Sequence, residues 1–391
     1  MHQLGVRLLF LALDLKPEED HAECIHVREL VHNFADLGHE VLLLTSREST
    51  WSPNGRNGQV AIRHVGGGRT VEEVRRVLRE AKRFEPDVIY ERRFLPKISA
   101  AVSALTGIPA IVEINGLVED EMKMQGKNRS SAVPHQLKGH AYSQVFAQMR
   151  AVVTVTAGLA TEMSRLFGVP DSRLTVIENA ANTRLFRPLD KLESRRQLEI
   201  DWESQWIGFV GGLLQWHGVD TVLRALPHVN GAPPVKLLVV GDGPCRAELE
   251  ALAISLDLAD RVRFVGQVPY EDVARYISAC DICVGPFTRE RNERIGGSPM
   301  KVYEYVACGR PVVISRLAGV GDWVERERLG LLAEPDSPHE FAEKMTQVLN
   351  DAAWLEAMKT RGPEAVAREH EWRGVARKIT ELCHAVVKEM R

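Results

Sequence analysis

Three ionisable side chains in the second half of the chain stand beside glycine-rich turns. Lys301 and Glu304 lie within Gly296-Gly-Ser-Pro-Met-Lys-Val-Tyr-Glu-Tyr-Val-Ala-Cys-Gly-Arg-Pro-Val-Val313, and His217 lies in Phe209-Val-Gly-Gly-Leu-Leu-Gln-Trp-His-Gly-Val219. Gly297, Ser298, Pro299 and Met300 suit a loop that feeds a helix, with proline near the first turn, where its missing N–H costs nothing. Free N–H groups at such a helix start would face a phosphate. Glu304 falls inside a short, otherwise apolar helix, where a carboxylate needs a donor such as a ribose diol; a surface or lysine-paired glutamate is the plainer alternative. Gly211 and Gly212 would let a diphosphate approach the backbone at a strand end, although a tight strand-to-helix turn explains them equally. Gly241 and Gly243, in Val239-Val-Gly-Asp-Gly-Pro244, repeat the arrangement, and there the turn alone accounts for the residues well. The sequence contains no Asp-x-Asp, the pair that commonly holds a divalent ion on a leaving diphosphate. Stabilisation of such a leaving group would then fall to His217, Lys301 and backbone N–H groups, with no metal and no other cofactor.

These residues sit among short apolar runs that alternate with helical patterns. In the first half the runs are Val6 to Leu13, Glu40 to Ser46, Asp87 to Glu91, Ala110 to Ile114 and Ala151 to Thr156. Continuous apolar strands of this kind belong to parallel sheets covered on both faces. Val27, Leu30, Val31 and Phe34 mark one helix face between the first two, and Gly38 ends that helix. The second half repeats the pattern with strands Ile207 to Val210, Lys236 to Val240, Val262 to Val265, Ile282 to Gly285 and Pro311 to Ser315. At 391 residues the chain is long enough for two separate cores, so two doubly wound sheets are expected. The seam should fall in the polar stretch Asn179 to Gln205, and Pro363 to Arg391 reads as a helical tail with Trp372, Val375, Ile379, Leu382 and Val386 on its buried face.

The order of these segments, and above all Lys301-Val-Tyr-Glu-Tyr-Val-Ala-Cys-Gly-Arg-Pro-Val-Val313, resembles the retaining transferases of glycosyltransferase family 4. His26-Val-Arg-Glu-Leu30 with Leu37-Gly-His-Glu-Val41, Val176-Ile-Glu-Asn-Ala-Ala-Asn182 with Phe186-Arg-Pro188, and the tail around Trp372 extend the likeness over nearly the whole chain. The resemblance implies a GT-B fold: two Rossmann-like α/β domains facing a central cleft, with a C-terminal helix crossing back to the N-domain. It divides the chain into an acceptor-side domain 1–185, a nucleotide-sugar domain 186–365 and a crossover helix 366–391. Glu304 matches the second acid of the family's paired glutamates, the one that holds the donor ribose, while Gly296 replaces the first. Gly212 and His217 stand where the family commonly has an arginine and a lysine, and Lys301 offers a new cation beside the phosphate loop. In the first domain Glu113 and Asn115 end a strand at the edge where many relatives carry a histidine, and Glu23 and His26 lie by the usual glycine-rich loop. All four are acceptor-side candidates; Glu23 and His26 could equally serve the phosphate side, and turn formation and helix capping are the commoner roles for a Glu and an Asn placed as Glu113 and Asn115 are.

The reaction implied is transfer from a nucleotide-diphosphate sugar, UDP ahead of GDP, to an acceptor hydroxyl with retention, in the synthesis of a polysaccharide, a glycolipid or a glycosylated metabolite. The acceptor, whether saccharide, lipid-linked or a small molecule, is not specified by the residues. A nucleotide-sugar epimerase of the same architecture is the alternative. A dinucleotide oxidoreductase is disfavoured, because Asp14 to Ile25 contains no glycine for the fingerprint turn. A formal net charge of −3 argues against nucleic acid as a partner. Val6 to Leu13 lacks the basic flank and cleavage site of a signal peptide, so a cytoplasmic protein is expected, with contact at the inner membrane face left open. The basic stretch Arg69 to Arg83, with Arg92, Arg93 and Lys97 nearby, could touch anionic lipid, but interrupting glutamates favour a solvated face. The six scattered cysteines read as reduced core residues, and Asp120 to Arg150 as an extended polar loop.

Overall fold

The computed structural model describes residues 5–51, 59–68, 70–117, 135–231 and 234–390. These residues form two compact units. One runs to Glu178 and takes in the C-terminal helix from Trp372; the other is Asn179–Glu371.

The first unit is built on seven parallel strands: β1 (Arg7–Leu11), β2 (Glu40–Thr45), β3 (Val60–His64), β4 (Val88–Arg92), β5 (Ala110–Ile114), β6 (Ala151–Thr154) and β7 (Leu174–Val176). Their order across the sheet is β3-β2-β1-β4-β5-β6-β7. The central strands are apolar because helices cover both faces: Leu9, Phe10, Leu43, Ile89 and Val112 are all fully buried. The helix Ala22–Asp36 buries the expected Val27, Leu30, Val31 and Phe34. Against it lies the helix Trp372–Glu389, tied to the same unit by Thr380 Oγ1, 2.9 Å from His39 Nε2, and by the Trp372 ring edge on to His26.

The second unit has six parallel strands: β8 (Gln205–Val210), β9 (Val235–Val240), β10 (Val262–Gly266), β11 (Ile282–Gly285), β12 (Val312–Ser315) and β13 (Gly330–Ala333). Their order is β10-β9-β8-β11-β12-β13. Strand order reverses between β1 and β4 in one sheet and between β8 and β11 in the other. In open α/β sheets ligands bind outside the carboxyl ends of the strands at such switch points.

Three strands lie outside the runs picked out by apolar pattern. β3 and β7 are largely unburied, so they carry little apolar signal, and β13 opens on Gly330 and has no β-branched residue. The tail also differs from expectation. Pro363 does not open it but lies inside the helix Ala352–Glu369, and a break at His370 precedes the last helix. Within Asp120 to Arg150, residues 135–147 form a helix rather than a loop; 118–134 lie outside the described residues. On the basic helix Thr70–Phe84, Arg76 donates to the Val65 carbonyl and Glu80 takes both Arg63 and Arg83, while Arg69 lies outside the described residues. No helix among the described residues is long and apolar enough to cross a membrane.

Candidate functional site

At the carboxyl end of β8 the chain enters a loop with Gly211 at φ +133°, a conformation that L side chains rarely adopt. The loop after β9 packs directly on it. Gly211 N–H donates to Val240 O at 2.9 Å, Leu213 N–H donates to Asp242 O at 2.9 Å, and Gly241 N–H donates to Gly266 O at 2.7 Å. A Cβ on Gly241 would strike the Gly211 carbonyl, and one on Gly243 would stand 2.5 Å from Leu213 O. Gly241 and Gly243 are thus required by the packing of one loop on another, the turn explanation that the sequence left standing.

The helix Met300–Ala307 is fastened to this same strand end. Tyr305 OH accepts from Val210 N–H at 2.7 Å and donates to Val210 O at 3.1 Å. Three residues before Tyr305 the helix buries Val302, and on the turn facing β8 it presents Lys301. Lys301 Nζ lies 4.3 Å from the centroid of the Phe209 ring and 5.8 Å from that of Phe287. It is buried and has no hydrogen-bond partner among the described residues. Burial pushes this ammonium down to about 7, against the opposing pull of Glu304.

His217 lies on the single turn Gln215–His217, with Nδ1 donating to the Gly212 carbonyl at 2.5 Å. Burial, and then the charge of Lys301, hold the imidazole well below its ordinary value, only partly offset by that bond. The imidazole is thereby pushed towards its neutral form, with Nδ1 committed to the Gly212 carbonyl. Glu304 is buried at 6% exposure and accepts from Tyr270 OH at 3.1 Å. Its burial excludes the surface-glutamate alternative, and no hydrogen bond joins it to Lys301.

The loop before this helix departs from expectation. Gly297 N–H is not free for a phosphate: it donates to Ala318 O at 3.0 Å, and Gly297 O accepts from Val320 N–H at 3.0 Å. The Ser298 hydroxyl is likewise engaged, accepting from Asn179 N–H at 2.8 Å and lying 3.0 Å from Tyr303 OH, while Asn179 Nδ2 donates to Ser298 O at 2.6 Å. Pro299 is the residue before the helix and has no N–H. Met300 and Lys301 then supply the first helical amides, which have no carbonyl one turn back within the helix.

In the first unit His26, Glu113 and Asn115 come together, and Glu23 does not. His26 Nε2 is 2.8 Å from Glu113 Oε1, Asn115 Nδ2 donates to the same oxygen at 2.7 Å, and Tyr90 OH donates to Oε2 at 2.5 Å. Burial alone would raise the Glu113 carboxyl, but His26, then Arg92 and Tyr90, hold it at about 2. His26 and Glu113 are each 3% exposed, whereas Glu23 lies on the exposed side of its helix. At the switch point beside this cluster, Arg93 Nε pairs with Asp14 at 2.8 Å, and Glu91 accepts from Ser99 N–H at 3.1 Å. Burial lifts Glu91 to about 7.

Several of these contacts were not foreseen. Tyr270 meets Glu304 from 34 residues upstream. Asn179 meets Ser298 from 119 residues upstream. The His370 ring stacks on Tyr303 at 4.2 Å. Phe209 and Phe287 enclose Lys301. Phe209 carried a signal as the last aromatic before the Gly211-Gly212 turn, and Asn179 and Tyr303 lie in the segments Val176 to Asn182 and Lys301 to Val313. The six cysteines are free thiols, and five of them are buried.

Residues 25–185 match the family described as "Glycosyltransferase Family 4", and residues 204–351 match "Glycosyl transferases group 1". A D-inositol 3-phosphate glycosyltransferase of Thermobispora bispora is 27% identical over 389 residues, covering 92% of this chain and 88% of the relative. An uncharacterized glycosyltransferase of Methanocaldococcus jannaschii is 26% identical over 245 residues, covering 61% of this chain and 60% of the relative. Among solved structures, sucrose-phosphate synthase from Thermosynechococcus elongatus superimposes with a TM-score of 0.78 at 21% identity, over 98% of this chain and 100% of that one. Anabaena Alr3699/HepE in complex with UDP gives 0.77 at 18% identity, over 97% of this chain and 100% of that one.

Proposed function

Because the chain belongs to glycosyltransferase family 4 and has the GT-B fold, we propose that this transferase moves a sugar, with retention, from a nucleotide diphosphate to an acceptor hydroxyl. UDP is the favoured nucleotide, as in the Anabaena protein solved with UDP and with UDP-glucose. A polyol or sugar acceptor fits the inositol phosphate named for the Thermobispora relative.

The observation that carries this reading is the buried ammonium of Lys301, which has no hydrogen-bond partner among the described residues, at the glycine-lined end of β8. A buried ammonium without hydrogen bonds is costly, and an entering diphosphate would remove that cost. The same diphosphate would meet the backbone at Gly212 and the amides of Met300 and Lys301. It would also raise the basicity of His217, whose Nε2 can then donate once protonated. Glu304, oriented by Tyr270, would receive the ribose hydroxyls one turn further along the helix. Charge developing on the leaving phosphate would thus be met by groups already in place, which is where most of the rate would arise. No carboxylate is proposed as a nucleophile; the departing phosphate oxygen would take the acceptor's proton on the face it leaves. In the first unit Asn115 and the exposed Glu23 remain acceptor-side candidates, while Glu113, with His26, would act by holding Asn115.

Incubating the pure protein with a panel of nucleotide sugars, without acceptor, tests the reading. Slow hydrolysis of one donor is expected. Conversion of a donor sugar to its epimer would support the epimerase alternative instead.

A further inference from the structure

A second group of cations lies at the edge of the C-terminal sheet, three strands from β8. A cavity of about 540 Å³ runs beside β13 and is lined by Arg328, Leu331, Trp354 and Arg361 together with the acids Glu325 and Asp351. That volume is in the range of small-molecule sites.

Arg328 occupies an unusual backbone position. It follows the helix Val320–Arg326 with φ +55°; Arg328 N–H donates to Glu325 O at 3.1 Å and Leu329 N–H to Val324 O at 2.9 Å. This is the helix-ending turn in which glycine is the usual residue, because it alone takes the left-handed conformation without strain. The Arg328 carbonyl accepts from both Trp354 Nε1 and Arg361 Nη1, each at 3.3 Å, so one atom fixes the indole and the second guanidinium around the cavity. Neither Arg328 nor Arg361 forms an ion pair among the described residues. Of the two acids, Asp351 caps its helix by accepting from Trp354 N–H at 2.8 Å, and Glu325 is exposed, 3.9 Å from Arg316.

We propose that this cavity is a second ligand site, taking a small phosphomonoester with a flat apolar body. Arg328 and Arg361 hold the anion through charge-assisted hydrogen bonds, and Trp354 with Leu331 receives the body. The site uses none of the donor residues and stands independently of the reading given above.

Phenyl phosphate is the probe, read by ¹⁹F NMR of protein labelled with 5-fluorotryptophan, the Trp354 resonance being identified by its loss in Trp354→Phe. A saturable shift of that resonance is expected, with phenol producing none. Arg361→Met and Arg328→Gly should each weaken binding by about tenfold or more. Glycine suits the left-handed turn, so Arg328→Gly should melt no lower than wild type, and its loss of binding cannot come from unfolding. A shift that does not saturate, an equal response to phenol, or wild-type titration by either arginine variant would overturn the proposal.

Discussion

The ammonium of Lys301 fills the space that a side chain on Gly211 would need: an added Cβ would stand 2.6 Å from Nζ and 2.9 Å from Cε. Gly211→Ala should therefore act twice, straining a backbone at φ +133° and displacing the cation from the end of β8. Donor affinity should fall by about tenfold or more, and the midpoint of thermal unfolding should drop by several degrees, as expected for a strained position costing about 1–3 kcal/mol. Isothermal titration with UDP and a melting curve measure both. Unchanged affinity in a folded variant would remove Lys301 from the phosphate site.

The second prediction concerns pH. In the empty site burial holds Lys301 at about 7, below its ordinary value, so above that pH the empty site is increasingly neutral. An entering diphosphate favours the charged form and raises that value again, so binding takes up a proton. Donor affinity should consequently fall as pH rises from about 7 to 8.5, by up to roughly tenfold per unit. A nucleotide sugar is the right ligand, because its diphosphate does not itself titrate in that range. Lys301→Met should flatten the profile and lower kcat by about 10²-fold, the scale for losing one preorganised donor. A profile that kept its slope in Lys301→Met would assign the proton to another group.

Gly211 and Lys301 were visible in the sequence as members of two separate motifs, each explicable by local geometry alone. Their juxtaposition was not, because it depends on Tyr305 fastening one helix to the end of β8 from 95 residues away. Glu304 could be singled out because a carboxylate in an apolar helix is a local anomaly; its partner Tyr270 is an ordinary-looking residue in another helix. The same limit explains Gly297. Its type and position suited a phosphate loop, but its N–H is taken by Ala318, a contact between segments that no spacing rule connects. The sheets were more legible than the site, since buried parallel strands announce themselves by composition, and the strands missed were the short or exposed ones.

In the first unit the Glu113 carboxyl, held at about 2 by His26, Arg92 and Tyr90 despite burial, is a stability element. Its folded value lies below the unfolded one of about 4.3, so its contribution is present above pH 4.3 and is lost as pH falls towards 2. Removing one partner from a buried pair typically costs about 3–5 kcal/mol, so Glu113→Ala should lower one unfolding transition markedly at pH 7. The difference from wild type should shrink below pH 4. Urea unfolding at pH 7 and pH 3.5 makes the comparison, and equal stability at pH 7 would show that the cluster does not support the fold.

Metal dependence follows from the absence of an Asp-x-Asp pair and from the choice of Lys301 and His217 for the leaving group. Activity should survive excess EDTA within about twofold, because no divalent ion is asked to neutralise the diphosphate. Loss of activity in EDTA that Mg²⁺ or Mn²⁺ restores would overturn this.

The last prediction concerns Glu304. Tyr270 already donates to Oε1 at 3.1 Å, which orients the carboxylate, and a carboxylate accepts from several donors at once. Glu304→Gln keeps the shape but removes the charge that strengthens hydrogen bonds to two hydroxyls. Donor affinity should fall by about 1.5–3 kcal/mol, the scale of hydrogen bonds to a charged group. A 2′,3′-dideoxy nucleotide separates the ribose role from a structural one, because it offers no diol. Wild type should bind that analogue poorly, and Glu304→Gln should scarcely distinguish it from the normal nucleotide. Tyr270→Phe should weaken the normal nucleotide less than Glu304→Gln does, since it loosens the carboxylate without removing its charge. If Glu304→Gln instead weakens both nucleotides equally, the carboxylate serves the packing of its helix and the ribose is held elsewhere.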